Sequence, residues 1–202
     1  LSSLPLARGG KPVAFFPGCY TNMYDPETGL DIIELLHKAG YAVTVPDDFV
    51  CCGLPMVAGG FWEDARANAV RNREALRRFA RDGVTVITGC PSCALMLTVD
   101  IDEYFPELDM ASVAGCVADA QHFLRECLER GELEPPRNAR PRILAYHAPC
   151  HLRAQGQGLS GLELLRALPG CTVINADAGC CGISGSYGFK KEHYAVSMQT
   201  EA

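Results

Sequence analysis

Val84-Thr85-Val86-Ile87-Thr88-Gly89-Cys90-Pro91-Ser92-Cys93 decides the fold. Five β-branched residues in a row favour an extended, buried strand. A glycine ends the run, and a Cys-Pro-Ser-Cys turn leads into an apolar helix start. The segment upstream supplies the other half of the unit. Residues 61–81 carry Trp62, Ala65, Ala69, Leu76 and Ala80 on one side at helical spacing, with Gly83 as the stop. Further upstream, Val13 to Phe16 reads as a short buried strand. Residues 29–39 place Ile32, Leu35, Leu36 and Ala39 on one helical face, and Gly40 suits a left-handed helix end. Residues 41–45 are again β-rich, closed by Pro46. Strands alternating with helices predict an α/β fold, a parallel sheet with helices packed on its faces.

Downstream, residues 111–130 read as one helix. Residues 131–141 contain Pro135-Pro136 and few apolar positions, and read as a linker. The pattern then restarts with a strand at 143–147, a helix at about 160–168 and a strand at 172–175. The restart is a repeat. Phe16-Pro17-Gly18-Cys19 closes one apolar run, and Tyr146-His147-Ala148-Pro149-Cys150 closes another, with the two cysteines 131 residues apart. Cys51-Cys52-Gly53 returns as Cys180-Cys181-Gly182, offset by 129 residues. Two markers with nearly one offset indicate a duplicated unit. The expected organisation is a first lobe over 1–130, a linker over 131–141 and a second lobe over 142–202. The two lobes are expected to be duplicated and Rossmann-like. The second is expected to be truncated, because its counterpart of Cys90-x2-Cys93 would fall near position 220. The chain also opens on Leu1 without Met and is expected to be an excerpt of a longer protein.

Composition narrows the function. The 202 residues are 48% hydrophobic and carry a formal net charge of −6. That balance argues against a nucleic-acid surface, which needs a basic field. No stretch approaches the roughly 20 apolar residues that span a bilayer. There is no charged-then-apolar secretory segment at the start. Eleven cysteines in such a chain point to metal or redox chemistry in a reducing cytosol. A vicinal pair such as Cys51-Cys52 is also a poor disulfide. Neither G-x-S-x-G nor a phosphate-cradling G-x-x-x-x-G-K occurs.

The complete constellation is Cys19-x31-Cys51-Cys52-x37-Cys90-x2-Cys93. Soft thiolates select iron–sulfur clusters, zinc or copper(I). Tetrahedral zinc closes at four ligands, as does the ordinary cubane cluster. Five cysteines with a vicinal pair therefore point to an unusual cluster. In both units the cysteines follow strands and precede helices, where free N–H groups favour thiolates.

These residues resemble the cysteine-rich CCG domain family. Its module is duplicated in one of the heterodisulfide reductase subunits and in iron–sulfur subunits of glycolate, lactate and anaerobic glycerol-3-phosphate oxidation. The likeness is greatest to the iron–sulfur subunit of anaerobic glycerol-3-phosphate dehydrogenase. It rests on Phe16-Pro17-Gly18-Cys19-Tyr20, Cys51-Cys52-Gly53-Leu54-Pro55, Tyr146-His147-Ala148-Pro149-Cys150-His151 and the run from Cys180 to Lys191. The resemblance implies a noncubane [4Fe-4S]-type cluster held by Cys19, Cys51, Cys52, Cys90 and Cys93. It implies a second, incomplete ligand set of Cys150, Cys180 and Cys181, with zinc as the other metal for one lobe. It implies electron relay from a flavin-containing dehydrogenase subunit, oxidising glycerol 3-phosphate or a 2-hydroxy acid, towards a membrane quinone. The location it implies is cytoplasmic, peripheral at the inner face of the cell membrane through a membrane-anchored or quinone-reactive partner. The alternatives are a heterodisulfide-reductase-like thiol–disulfide reductase and a zinc-stabilised structural module.

Several other features have plainer readings. Cys116, Cys127 and Cys171 lie outside the repeat and read as packing residues. His147 and His151 flank Cys150 and read as structural histidines, with a ligand or sulfur-donor role as the alternative. Arg66, Arg71, Arg73, Arg77, Arg78 and Arg81, interspersed with Glu74 and Asp82, read as a solvated helix face. Lys190 and Lys191 read as surface residues, and Tyr187 and Phe189 as core packing or the lining of a quinone or cluster pocket.

Overall fold

The computed structural model describes residues 9–137, 140–183 and 187–200. It opens with strand β1 (Lys11–Phe16), short helix α1 (Gly18–Met23), helix α2 (Pro26–Lys38) and strand β2 (Tyr41–Thr44). After the loop that carries Cys51-Cys52 come helices α3 (Leu54–Ala58) and α4 (Trp62–Asp82) and strand β3 (Thr85–Thr88). Helix α5 (Pro91–Leu95) continues through a π-helical turn at Met96–Asp100 into α6 (Ile101–Tyr104). Helix α7 (Ala111–Ala114), strand β4 (Val117–Asp119) and helix α8 (Ala120–Glu129) complete the larger lobe. All four strands are parallel, in the order β2-β1-β3-β4.

Strand alternation builds the layers. Val13 and Phe15 face a cluster with Ile33 and Leu36 of α2 and Phe123 and Leu124 of α8. Ala14 and Phe16 face the opposite cluster, with Ala65, Ala69 and Leu76 of α4 and Met96 and Leu97. The result is helix, sheet, helix, as the alternating pattern requires. Helix α2 starts three residues before the apolar period because Asp25 caps it. The Asp25 carboxylate accepts from the Thr28 backbone N–H at 3.2 Å, and Pro26 fills the first helical position. Gly40 and Gly83 end α2 and α4 with φ of 86° and 64°.

The expectation of one helix over 111–130 is corrected. The chain stops at Ala114, turns through Gly115 and lays Val117–Asp119 along the sheet edge. The Val86 N–H donates to the Cys116 carbonyl at 2.7 Å, so strand pairing overrides helical periodicity here. Asp119 then caps α8, accepting from the Gln121 N–H at 2.8 Å.

The second unit is smaller. Strand β5 (Arg142–Tyr146) pairs in parallel with β6 (Cys171–Asn175). Between them lie α9 (Cys150–Ala154) and α10 (Ser160–Arg166), and α11 (Tyr194–Gln199) follows. Helix α10 packs along α8 of the larger lobe. Among the described residues this sheet has two strands. Of the Cys180 to Lys191 run, Ser184, Gly185 and Ser186 lie outside the described residues, as do Asn138 and Ala139 of the expected linker.

The start of that expected linker is anchored. The Glu132 carboxylate accepts from Lys11 Nζ at 2.6 Å, from the Tyr41 hydroxyl at 2.8 Å and from Arg130 at 3.0 Å. Lys11, then the Tyr41 hydroxyl, hold the Glu132 carboxyl down at about 2, below its ordinary 4.5. A depressed carboxyl stabilises the fold above its unfolded value, and the contribution is lost as pH falls through the folded one. Glu132→Gln is therefore expected to lower the melting midpoint by a few degrees near pH 7. Melts of both proteins from pH 7 to 2 should show the gap closing between about 4.5 and 2.

Candidate metal centre

Strand order places the site. The order reverses between β1 and β3, whose carboxyl ends lie side by side with Phe16 opposite Thr88. Ligand sites of open α/β sheets form outside such reversals. Cys19 leaves β1 in the first turn of α1. Cys90 leaves β3 as the residue that starts α5, with Cys93 one turn on. Cys51 and Cys52 arrive from the end of β2, just before α3.

The five thiols form an unbroken run of neighbours. Cys19 and Cys51 sulfurs lie 3.7 Å apart. Cys51 neighbours Cys52, Cys52 neighbours Cys93, and Cys93 neighbours Cys90. Cys52 and Cys93 are buried within the apolar layer, whereas Cys19, Cys51 and Cys90 are half-buried towards the edge. The thiols are neighbours in pairs. Among the described residues no three Cys, His, Asp or Glu side chains focus on one point as a single ion requires.

Protons are unevenly shared along this run. The hydrogen bond from Cys51, then that from Cys93, pulls the Cys52 thiol well below its usual range. Cys51 is pushed up by its bond to Cys52 and by burial. Cys93 is pushed up by Cys52 and Cys90, while its bond brings Cys90 down to about 7. Neighbouring thiols along the run are thus shifted in opposite directions. Thiolates are the form that binds metal.

Backbone freedom makes the room. Gly18 has φ of 63°, and a Cβ there would lie 3.1 Å from Cys93 Sγ. Gly53, with φ of 97°, gives the turn from the cysteine pair into α3. A second device was not legible as such in the sequence. Asn72 on α4 is fully buried, accepts from the Val50 N–H at 3.0 Å and donates to the Cys51 carbonyl at 3.1 Å. Asn68, one turn earlier, donates to the same carbonyl at 3.2 Å. Two Asn at i, i+4 on the alanine-rich inner face of a long helix were the available signal.

The other cysteines divide. Cys150 begins α9, and Cys180 and Cys181 follow β6; all three are exposed. Their loops are tied by His147 Nε2 against the Gly179 carbonyl at 3.1 Å, and the Gly182 N–H approaches Cys180 Sγ at 3.4 Å. Cys127 is fully buried, Cys116 packs against the core, and burial pushes Cys116 up to about 11. Cys171 is half-buried on β6. His151 reaches across to the first lobe, its Nδ1 2.6 Å from Ser92 Oγ. Tyr187 and Phe189 are exposed rather than packed in a core, and Tyr187 stacks on His193 at 3.9 Å. Four of the helix arginines are engaged with acids: Arg66 with Glu107, Arg73 and Arg77 with Glu74, and Arg78 with Asp48.

The cysteine-rich domain profile, CCG, matches residues 13–98 and 144–202. The chain belongs to the CCG cysteine-rich domain family. It is 38% identical over 190 residues to a subunit of anaerobic glycerol-3-phosphate dehydrogenase from Escherichia coli K12, covering 92% of this chain and 47% of that protein. It is 32% identical over 192 residues to a subunit of fumarate reductase (CoM/CoB) from Methanothermobacter marburgensis, covering 94% and 36%. Lactate utilization protein A of Shouchella clausii is 27% identical over 194 residues, covering 94% and 79%. The chain thus spans about half the length or less of the first two relatives. The two matched segments of the CCG profile coincide with the two cysteine-bearing units.

Two substitutions test the architecture. Gly18→Ala is expected to keep the fold by circular dichroism but to lower metal content after anaerobic reconstitution at least severalfold. Its methyl group enters the thiol site, and left-handed backbone costs about 1–2 kcal/mol for a residue with a Cβ. Asn72→Ala leaves the Val50 N–H without its partner and takes one of two donors from the Cys51 carbonyl. It is expected to destabilise by about 1–3 kcal/mol in urea unfolding.

Proposed function

We propose that this chain is the iron–sulfur relay of an oxidoreductase complex, with Cys19, Cys51, Cys52, Cys90 and Cys93 holding the cluster. One observation carries the reading. Five thiols from three loops are neighbours at the sheet's ligand-binding edge, and nothing but sulfur makes up the donor set. In a cluster each iron takes its own terminal thiolate, so donors spread over a surface suit it better than they suit one tetrahedral ion. A bound cluster supplies a carrier of single electrons. The chain's own residues supply burial, thiolate charge and the backbone room at Gly18, all of which bear on its potential. The fifth cysteine and the vicinal pair point to an unusual cluster, and the noncubane [4Fe-4S] form is the one that the family resemblance implies. Cys150, Cys180 and Cys181 are proposed ligands of a second site in the smaller lobe, with iron or zinc as its metal.

The electron donor in this reading is a flavin-containing dehydrogenase subunit, which performs the substrate oxidation. The acceptor is a membrane quinone. The similarity to a protein named as part of anaerobic glycerol-3-phosphate dehydrogenase supports glycerol 3-phosphate as the oxidised substrate, and the lactate utilization relative supports a 2-hydroxy acid. No helix of the described residues is long and apolar enough to cross a membrane, so contact with a quinone in this reading runs through a partner or a docking surface. The location proposed is the cytoplasmic face of the membrane.

A second reading, cleavage of a disulfide at the cluster, follows the heterodisulfide-reductase-like alternative of the sequence analysis. One experiment separates the two. The full-length protein that contains this chain is purified anaerobically and combined with its dehydrogenase partner. Substrate-driven quinone reduction is expected, with a brown, broadly absorbing protein, and Cys51→Ser is expected to reduce both rate and iron content more than tenfold. Electron delivery to a disulfide alone would transfer the assignment to the second reading. A colourless protein holding only zinc would remove both.

A further inference from the structure

Helix α9 belongs to the smaller lobe, yet it docks on α5 of the larger one. Two side chains one helical turn apart, His151 of α9 and Gln155 at its C-terminal cap, grip the turn that runs from Cys90 to Cys93. His151 Nδ1 lies 2.6 Å from Ser92 Oγ. Gln155 Nε2 donates to the Pro91 carbonyl at 3.0 Å, and also to the His151 carbonyl of its own helix at 2.8 Å. Pro91 and Ser92 are the two residues between the cysteines, so both grips fall inside the ligand turn. The first residue of the same helix is Cys150.

Neither contact is needed to hold the lobes together, since α10 already packs along α8. Nor does the turn lack local support, because Cys90 N–H reaches Thr88 Oγ1 at 3.4 Å. The α9 contacts are additional and specific to the residues that orient Cys90 and Cys93. A hydroxyl one residue from a ligand thiolate, fixed by an outer partner, is the arrangement by which outer groups tune a metal site.

We propose that α9 is a clamp on the first cysteine site, with His151 and Gln155 as positioning residues that set the Cys90-to-Cys93 turn from the second lobe. The consequence is that the two cysteine units act as one device. Any change at Cys150 that shifts α9 is transmitted to the first site through the His151–Ser92 and Gln155–Pro91 bonds.

This inference rests on the relay reading for what the clamp adjusts, but not for the clamp itself, and the test separates the two. Amide hydrogen exchange is measured on the apo chain over residues 90–98, in the wild type and in His151→Ala, Ser92→Ala, the double variant and His151→Asn. The apo measurement involves no cluster. His151→Ala is expected to speed exchange in that segment about tenfold, the order of one hydrogen bond. The double variant should add nothing to the larger single effect, as for partners in one contact. Asn places an amide group near the imidazole Nδ1 position, so His151→Asn should restore most of the protection. The same variants are then reconstituted, and iron content and midpoint potential are measured. Unchanged iron with a shifted potential in His151→Ala, reversed in His151→Asn, supports the positioning role. Unchanged exchange over 90–98, or additive effects in the double variant, overturns the clamp. A clamp seen in exchange with no cluster formed in the wild type leaves the clamp standing and overturns the relay reading. Cluster formation with normal exchange effects but an unmoved potential overturns the positioning role.

Discussion

The pairing of β1 with β3 is the constraint from which the rest follows. Val13 to Phe16 lies in register with Thr85 to Thr88, although about seventy residues separate them in the chain. That pairing leaves β2 on one side and β4 on the other, so the connections leave the sheet in opposite directions. It also leaves a crevice between two strand ends, each followed within a few residues by a cysteine. A slip of one residue would turn Phe16 and Val86 to the wrong layer and carry Cys19 away from Cys93. The apolar pattern of two short strands therefore holds the geometry of the thiols.

The third loop needs different support, because β2 ends several residues before the cysteine pair. Here the structure uses a polar group in an apolar layer. Asn72 sits among alanines on the inner face of α4, with both ends of its amide bonded to the loop at Val50 and Cys51. A buried amide is unfavourable unless fully paired, and pairing it to backbone fixes the loop in one place. The long helix is thus a support for the cysteine pair as well as a packing element. Its arginines, paired with Asp48, Glu74 and Glu107, decorate the outer side.

Much of this was legible in the sequence because it depends on local pattern. The β-branched run before Cys90, the helical spacing around Leu36 and Leu76, and the glycines at 40 and 83 each announce an element through sterics or burial. The offset repeat of Cys51-Cys52 and Cys180-Cys181 announces the two units. What was not legible depends on partners far away in the chain. Residues 117–119 look helical until β3 is present to pair with them, and the roles of Asn72 and His151 exist only once a loop or a second lobe lies opposite.

Cys52 and Cys93 have two memberships, since their sulfurs are part of the donor run and their side chains part of the apolar layer that contains Phe16, Leu76 and Met96. Oxygen chemistry at such a sulfur is not confined to redox damage. A sulfenic or sulfinic group at either position is polar, bulkier than a thiol and set against a buried apolar layer. Overoxidation at either position therefore strikes the packing of the larger lobe and the donor run together.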